Sequence, residues 1–303
     1  MMQVNEVRYE AATGLSLGAR ETQEDSVLCD VPQGGGAGIL VLADGLGGHA
    51  GGALASRVAV TTALRELAGH RDGMGRLHGD IPHLLQNAVE AANHAVLAQV
   101  DDDPDLRGMG TTLVAAIVQG RQLHWISVGD SPLWLIRDGR PIKLNETHSL
   151  APHLDLLVEV GEMTKEDAAD HPGRNCLTSA LGTDEIERVD CPDTPRELTP
   201  GDTLLAASDG ILTLALEDIA GILSHAPPGA STAHCVERLL EAVALAGHEE
   251  QDNTSLALLR IAPVARGGTR RGVQALLSRV RESLRLESAT ARIGFDAVRA
   301  GAD

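Results

Sequence analysis

Aromatic residues are nearly absent from this 303-residue chain: two tryptophans, one tyrosine and one phenylalanine make up about 1% of it. Its core must therefore be assembled from Leu, Val, Ile and Ala, for which a hydrophobic content of 43% is ample. No apolar run approaches the roughly 18 residues of a membrane span, and no charged-then-apolar leader opens the chain, so neither a span nor a signal peptide is expected. Cysteine is also scarce. Cys29, Cys176, Cys191 and Cys235 show no CxxC spacing and no histidines in zinc-finger register, and they read as free thiols of a reducing, cytoplasmic compartment. The HExxH signature of zinc hydrolases is missing, because His248-Glu249-Glu250 has Asp252 where the second histidine would stand.

Positive charge is in equally short supply. The formal net charge of −18 excludes nucleic acid as an expected partner, since binding a polyanion takes clustered Lys and Arg. It permits a carboxylate-rich cation site. The exception is the C-terminus, where residues 262–303 hold eight arginines against Glu282, Glu287, Asp296 and Asp303, a net of +4. With Pro263 and Gly267-Gly268, this shift divides the chain into a domain over 1–261 and a basic tail over 262–303. In the tail, Val273, Leu276, Leu277, Val280 and Leu284 share one face of an expected helix over 273–286, which could dock on the domain or bind a protein partner. Arginines without aromatics make a poor membrane anchor.

What is present is a mixture of short apolar runs and helical patterns. Segments 38–43, 111–118, 123–128 and 203–207 suit buried strands, and residues about 51–68, 82–100, 216–224 and 231–246 carry helical periodicity. Arg137-Asp138-Gly139-Arg140 reads as a two-residue hairpin, so Trp125–Leu144 is expected to be an antiparallel meander. Helices in pairs and strands joined by turns point to an antiparallel α+β layering, not to βαβ alternation.

Several of these segments share one design. Ile39-Leu-Val-Leu-Ala runs into Asp44-Gly45, Trp125-Ile-Ser-Val-Gly into Asp130-Ser131, and Leu204-Leu-Ala-Ala-Ser into Asp209-Gly210, while Asp252-Asn253 precedes the apolar run Leu256–Ile261. A single Asp-Gly is ordinary turn chemistry. Repeated after buried strands, it suggests carboxylates gathered at one end of a sheet. Such carboxylates raise one another's pKa unless a cation intervenes, and hard ions such as Mg²⁺ or Mn²⁺ suit oxygen donors. Spacing alone does not show that they meet.

Arg20-Glu-Thr-Gln-Glu24-Asp25-Ser26, Val41-Leu-Ala-Asp44-Gly45-Leu-Gly-Gly-His49-Ala-Gly-Gly52, Gly108-Met-Gly-Thr-Thr112, Val128-Gly-Asp130-Ser131, Ala207-Ser-Asp209-Gly210 and Asp252-Asn253 occur in that order. The ordered set, over about residues 8–261, resembles the bacterial metal-dependent, type 2C serine/threonine protein phosphatases. The resemblance implies a four-layer α-β-β-α sandwich with two central antiparallel sheets. It implies hydrolysis of phosphoserine and phosphothreonine in proteins by a water activated between two Mn²⁺ or Mg²⁺ ions, with a third, weaker ion in bacterial relatives. By the same resemblance Asp44 bridges the two ions with the Gly45 carbonyl beside the second. Asp209 and Asp252 hold the first ion, Glu24 the second, and Asp130 joins Asp209 at the third. Arg20 clamps phosphate through its planar guanidinium, and Asp25 supports the ligands by hydrogen bonds. Phosphorylated proteins and a cognate serine/threonine kinase are the implied partners.

The chain departs from the family pattern in places. Gln23 replaces the usual Asn of the first motif, Leu46 a histidine found after Asp-Gly in eukaryotic relatives, Pro132 an arginine, and Thr147-His148-Ser149 an Asp-His-Ser triplet. Residues 150–178 correspond to a flap beside the active site, expected to be mobile and to bear on substrate choice. Two rival readings are weaker. Gly45-Leu-Gly47-Gly-His-Ala50 formally fits a dinucleotide fingerprint, but Asp44 would repel a pyrophosphate and no βαβ unit surrounds it. A non-catalytic phosphoprotein-binding module is opposed by the survival of every carboxylate that the resemblance assigns to the metals.

Overall fold

The computed structural model describes residues 7–32, 36–47, 50–227 and 229–263. His49 and the helix expected over 273–286 lie outside these residues. The chain opens with β1 (Val7–Ser16), β2 (Ser26–Asp30), β3 (Ala37–Ala43) and β4 (Gly45–Leu46), then helices α1 (Ala50–Gly69) and α2 (Ile81–Asp102). Strands β5 (Gly110–Thr111), β6 (Leu113–Gln119), β7 (Gln122–Val128), β8 (Leu133–Arg137) and β9 (Arg140–Lys143) follow, with the short helices α3 (Ala151–Glu159) and α4 (Lys165–Ala169) after them. The last elements are β10 (Arg196–Glu197), β11 (Thr203–Ala207), α5 (Leu216–Ser224), α6 (Thr232–Ala246) and β12 (Thr254–Pro263).

Two five-stranded sheets form, in the orders β1-β12-β11-β8-β9 and β10-β7-β6-β3-β2, with every pairing antiparallel. Side-chain parity explains why their strands read as continuous apolar runs. In β3, Leu40 and Leu42 face the other sheet while Ile39, Val41 and Ala43 face α1 and α2. In β11, Leu204 and Ala206 point into the sandwich while Leu205 and Ala207 meet α5 and α6. Three apolar interfaces therefore separate four layers, the expected α-β-β-α sandwich. They are filled by aliphatic residues and two buried tryptophans, Trp125 and Trp134. Burying each Leu or Ile side chain contributes about 1.5–3 kcal/mol.

Local signals account for the element ends. Asp80 accepts the His83 N–H at the start of α2, and Ser231 accepts the His234 N–H at the start of α6, which ends in left-handed Gly247. The 138–139 turn has φ of 50° at Asp138 and 75° at Gly139, both positive as a two-residue hairpin requires.

Two expectations are corrected. The meander over Trp125–Leu144 is split between sheets: β7 pairs with β6 in one, and β8 with β9 in the other. The crossing is made at Gly129, with a φ of 101°, and at Pro132, which has no N–H to continue a ladder. The strand expected over 111–118 breaks at Thr112, whose N–H leaves the ladder for the Asp44 carbonyl. One compact unit runs to Pro263. No helix among the described residues is long and apolar enough to cross a membrane, and all four cysteines are free thiols.

Candidate active site

The antiparallel register decides which loops meet. Ser26 lies opposite Ala43, Leu113 opposite Val128, Leu133 opposite Ala206, Leu256 opposite Ala207, and Ser16 opposite Thr254. The turns carrying Glu24, Asp44, Asp130, Asp209, Asp252 and Arg20 thus leave the two sheets at one end. A cavity of about 280 Å³ opens there, and all six residues line it together with Gly45.

Each turn is held by its own bonds. The Asp44 N–H donates to Thr112 Oγ1 at 3.0 Å, while its carbonyl accepts from Thr112 N–H at 2.9 Å and Thr111 Oγ1 at 2.8 Å. Gly45 has no room for a Cβ, which would strike the backbone of Gly52 and the Glu24 carbonyl. Gly52, on the first turn of α1, is likewise shaped around the Glu24 carboxylate, whose Oε2 occupies the place a Cβ would take.

The loop between β1 and β2 is clamped from two sides. Asn253 accepts the Glu24 N–H at 2.7 Å and donates to the Leu17 carbonyl at 2.8 Å. Gln23 donates to the Ser16 carbonyl and accepts the Asp25 N–H, so the longer amide in place of Asn spans the base of the loop. Arg20 Nη2 donates to Asp252 Oδ2 at 2.6 Å, with the two side chains 57% and 40% exposed. Exposed pairs of this kind contribute about 0–1 kcal/mol, so Arg20 is held only lightly.

Five carboxylates, Glu24, Asp44, Asp130, Asp209 and Asp252, share the cavity wall with a single arginine. Burial, reinforced by the charges of Asp25, Asp209, Asp130 and Asp252, holds the Asp44 pKa well above the usual carboxylate range. Burial and then the Asp209 charge push Asp130 up to about 6. Asp209 is also raised, by burial and by Asp252, with Arg20 opposing. Asp25 is buried beneath the cavity, not on its wall; burial lifts it to about 6 although Ser208 Oγ donates to its Oδ2 at 2.7 Å. A cluster so unfavourable to its own ionisation fits a site whose charge is offset by cations.

The donor chemistry fits hard divalent ions. Among the described residues no three His, Cys, Asp or Glu side chains gather tightly enough to hold one ion by themselves. Carboxylates, a backbone carbonyl and water suit Mg²⁺ and Mn²⁺, which retain much of their hydration.

Several residues around the cavity were not singled out by sequence reasoning. Thr112 and Asn253 line it and fix Asp44 and Glu24; both sit inside the quoted motifs, which was the only signal available. Leu46, Gly47, Asn175 and Leu177 form the rest of the wall. The flap is two short helices, α3 and α4, rooted where Ser149 bridges Leu177 and where Leu181 bridges Thr111. Arg174 ties its parts together with a two-pronged contact to Asp155. Pro132 leaves its carbonyl to the Ala207 N–H, and Lys143 contacts Thr147 while its charge offsets part of the upward push on Asp130.

Comparison with known proteins agrees with this geometry. Residues 19–238 match the family model described as protein phosphatase 2C. The chain is 37% identical over 235 residues to the serine/threonine protein phosphatase PstP of Mycobacterium tuberculosis, a match covering 78% of this chain and 41% of that relative. The chain thus spans well under half of that relative's length. The crystal structure of the M. tuberculosis serine/threonine phosphatase PstP/Ppp superposes with a TM-score of 0.69 at 33% identity, covering 85% of this chain and 100% of that one. A structure of the PstP catalytic domain in complex with two manganese ions gives 0.66 at 32% identity, covering 84% and 98%.

Proposed function

The chain belongs to the protein phosphatase 2C family, and on that premise we propose that it hydrolyses phosphoserine and phosphothreonine in proteins, using Mn²⁺ or Mg²⁺. The observation that carries this reading is the cavity ringed by Glu24, Asp44, Asp130, Asp209 and Asp252, with Arg20 at its edge. Asp44 would serve both ions, joined by Asp209 and Asp252 at the first and by Glu24 and the Gly45 carbonyl at the second. Asp130 and Asp209 would together hold a weaker third ion. Bound ions of this kind supply an activated water and offset charge on the phosphoryl oxygens. The solved relative with two manganese ions supports the choice of metal.

The chain's own residues do the rest. Arg20 would exchange its light contact with Asp252 for two phosphoryl oxygens and so orient the ester. Asn253 and Gly52 fix where Glu24 stands. Asp25, through Ser208, braces the β11 turn that carries Asp209. Leu46 carries no proton to donate, so protonation of the leaving alkoxide falls to water. We assign the enzyme to the cytoplasm, acting on proteins phosphorylated by a serine/threonine kinase, with the basic tail 262–303 as a candidate protein-binding segment.

Hydrolysis of p-nitrophenyl phosphate with and without Mn²⁺ tests the reading. Turnover should require the metal and fall by about 10²–10³-fold in Asp209→Ala, the order reached when a group central to charge stabilisation is removed. No turnover in any metal would point to a phosphoprotein-binding module instead, and metal-independent turnover would overturn the metal-dependent reading.

A further inference from the structure

His148 lies between β9 and α3 with 1% of its surface exposed. Its backbone N–H donates to the Gly129 carbonyl at 2.9 Å, and its Nδ1 accepts the Gly129 N–H at 3.2 Å. On its other side, its carbonyl accepts the Thr178 N–H at 2.9 Å. One buried residue is therefore bonded both to the turn preceding Asp130 and to the flap segment following Leu177. Asp130 and Leu177 both line the cavity.

The imidazole sits at a cost. An Nδ1 that accepts a hydrogen bond carries no proton, so the proton of the neutral ring is on Nε2. That Nε2 is buried without a partner, and Glu146 Oε2 stands 3.9 Å away, beyond hydrogen-bond reach. Burial pushes the ring's pKa down, which keeps the ring neutral and the Nδ1 lone pair available near pH 7. A leucine would fill similar space with no orphaned donor. What the histidine adds is the acceptor for Gly129. That glycine has no slack on its opposite side, where its φ is 101° and a Cβ would strike Thr112, the residue that bonds Asp44.

We propose that His148 is a positioning residue that locks the Asp130 turn and the flap wall into one register. Engagement of the flap would then be felt at Asp130, and occupancy at Asp130 would be felt in the flap. The link from Asp130 to an ion rests on the phosphatase reading; the coupling of the two segments does not.

Hydrogen exchange of the metal-free full chain tests the coupling. His148→Asn returns an oxygen to the place of Nδ1, whereas the His148→Gln amide reaches the place of Nε2. In His148→Leu and His148→Gln, peptides containing Gly129 and Thr178 should both exchange faster by about tenfold, as expected for one lost hydrogen bond, while peptides from β6 do not. His148→Asn should restore most of the protection. Calorimetric Mn²⁺ titration should show the weakest site loosened by about tenfold in the Leu and Gln variants and largely recovered in the Asn variant. Faster exchange at Gly129 with Thr178 unchanged, uniform loosening of the sheet, or an Asn variant as impaired as Gln would overturn the proposal. A wild-type chain that binds no Mn²⁺ would defeat the phosphatase reading, while the exchange data still decide the coupling.

Discussion

Asp25→Asn should stabilise the metal-free protein although it removes a buried hydrogen-bonded carboxylate. Asp25 is 5% exposed, and its pKa is raised from 3.8 to about 6 by burial first, then by the charges of Asp209 and Asp252. Because the folded value lies above the unfolded one, the proton on Asp25 favours the fold fully below about pH 3.8. That contribution is lost as pH rises through about 6, where the fold must hold a buried charge. The difference of about two pKa units corresponds to about 3 kcal/mol. An asparagine keeps the shape, its oxygen still accepts from Ser208, and the buried Ser255 hydroxyl is at hand for the new amide. Thermal unfolding in chelator from pH 4 to 8 reads the effect. At about 2–4 °C per kcal/mol, the variant should melt roughly 6–12 °C above wild type at pH 7.5, and the gap should close towards pH 4. With Mn²⁺ present the order should narrow or invert, because the cation already offsets the charge. A gap independent of pH, or a less stable variant at pH 7.5, would refute the electrostatic account of the site.

Gly52→Ala places a methyl group against the Glu24 carboxylate and the Gly45 backbone, so Glu24 must swing away. Overpacking of this kind costs about 1–3 kcal/mol, and calorimetry should show at least one Mn²⁺ site weakened about tenfold or more. Arg20→Ala removes an exposed, lightly paired guanidinium, so melting should change by less than about 1 kcal/mol. Its kcat/KM on a phosphopeptide should fall by about 10–100-fold, the worth of a charge-assisted contact, with Arg20→Lys recovering only part.

The layers of the fold were legible because the strands are buried on both faces. Segments 38–43 and 203–207 announce themselves as apolar runs, and the observed strands Ala37–Ala43 and Thr203–Ala207 match them closely. The passage from β7 to β8 was not legible. A hairpin and a change of sheet carry the same Gly and Pro punctuation, and only the pairing of β8 with β11 tells them apart. The carboxylates could be nominated from their place after strands, but their convergence depends on register, which no spacing encodes. Asn253 and Gly52 escaped notice for a different reason. One acts through an amide on a backbone 229 residues away, and the other by having no side chain.

The cavity draws on both sheets: Glu24, Asp44 and Asp130 come from the β2-β3-β7 side, while Asp209, Asp252 and Arg20 come from the β1-β11-β12 side. Ions held there would act as a clasp across the sandwich, and the spacing between them would be set by how the two sheets seat on each other. The seat is a layer of Leu, Val, Ala and Ile with a single buried tryptophan. A methylene added at Leu42 or Leu204 would therefore be felt first as altered metal affinity. The same change at Leu239, between sheet and helix, would be felt as stability alone.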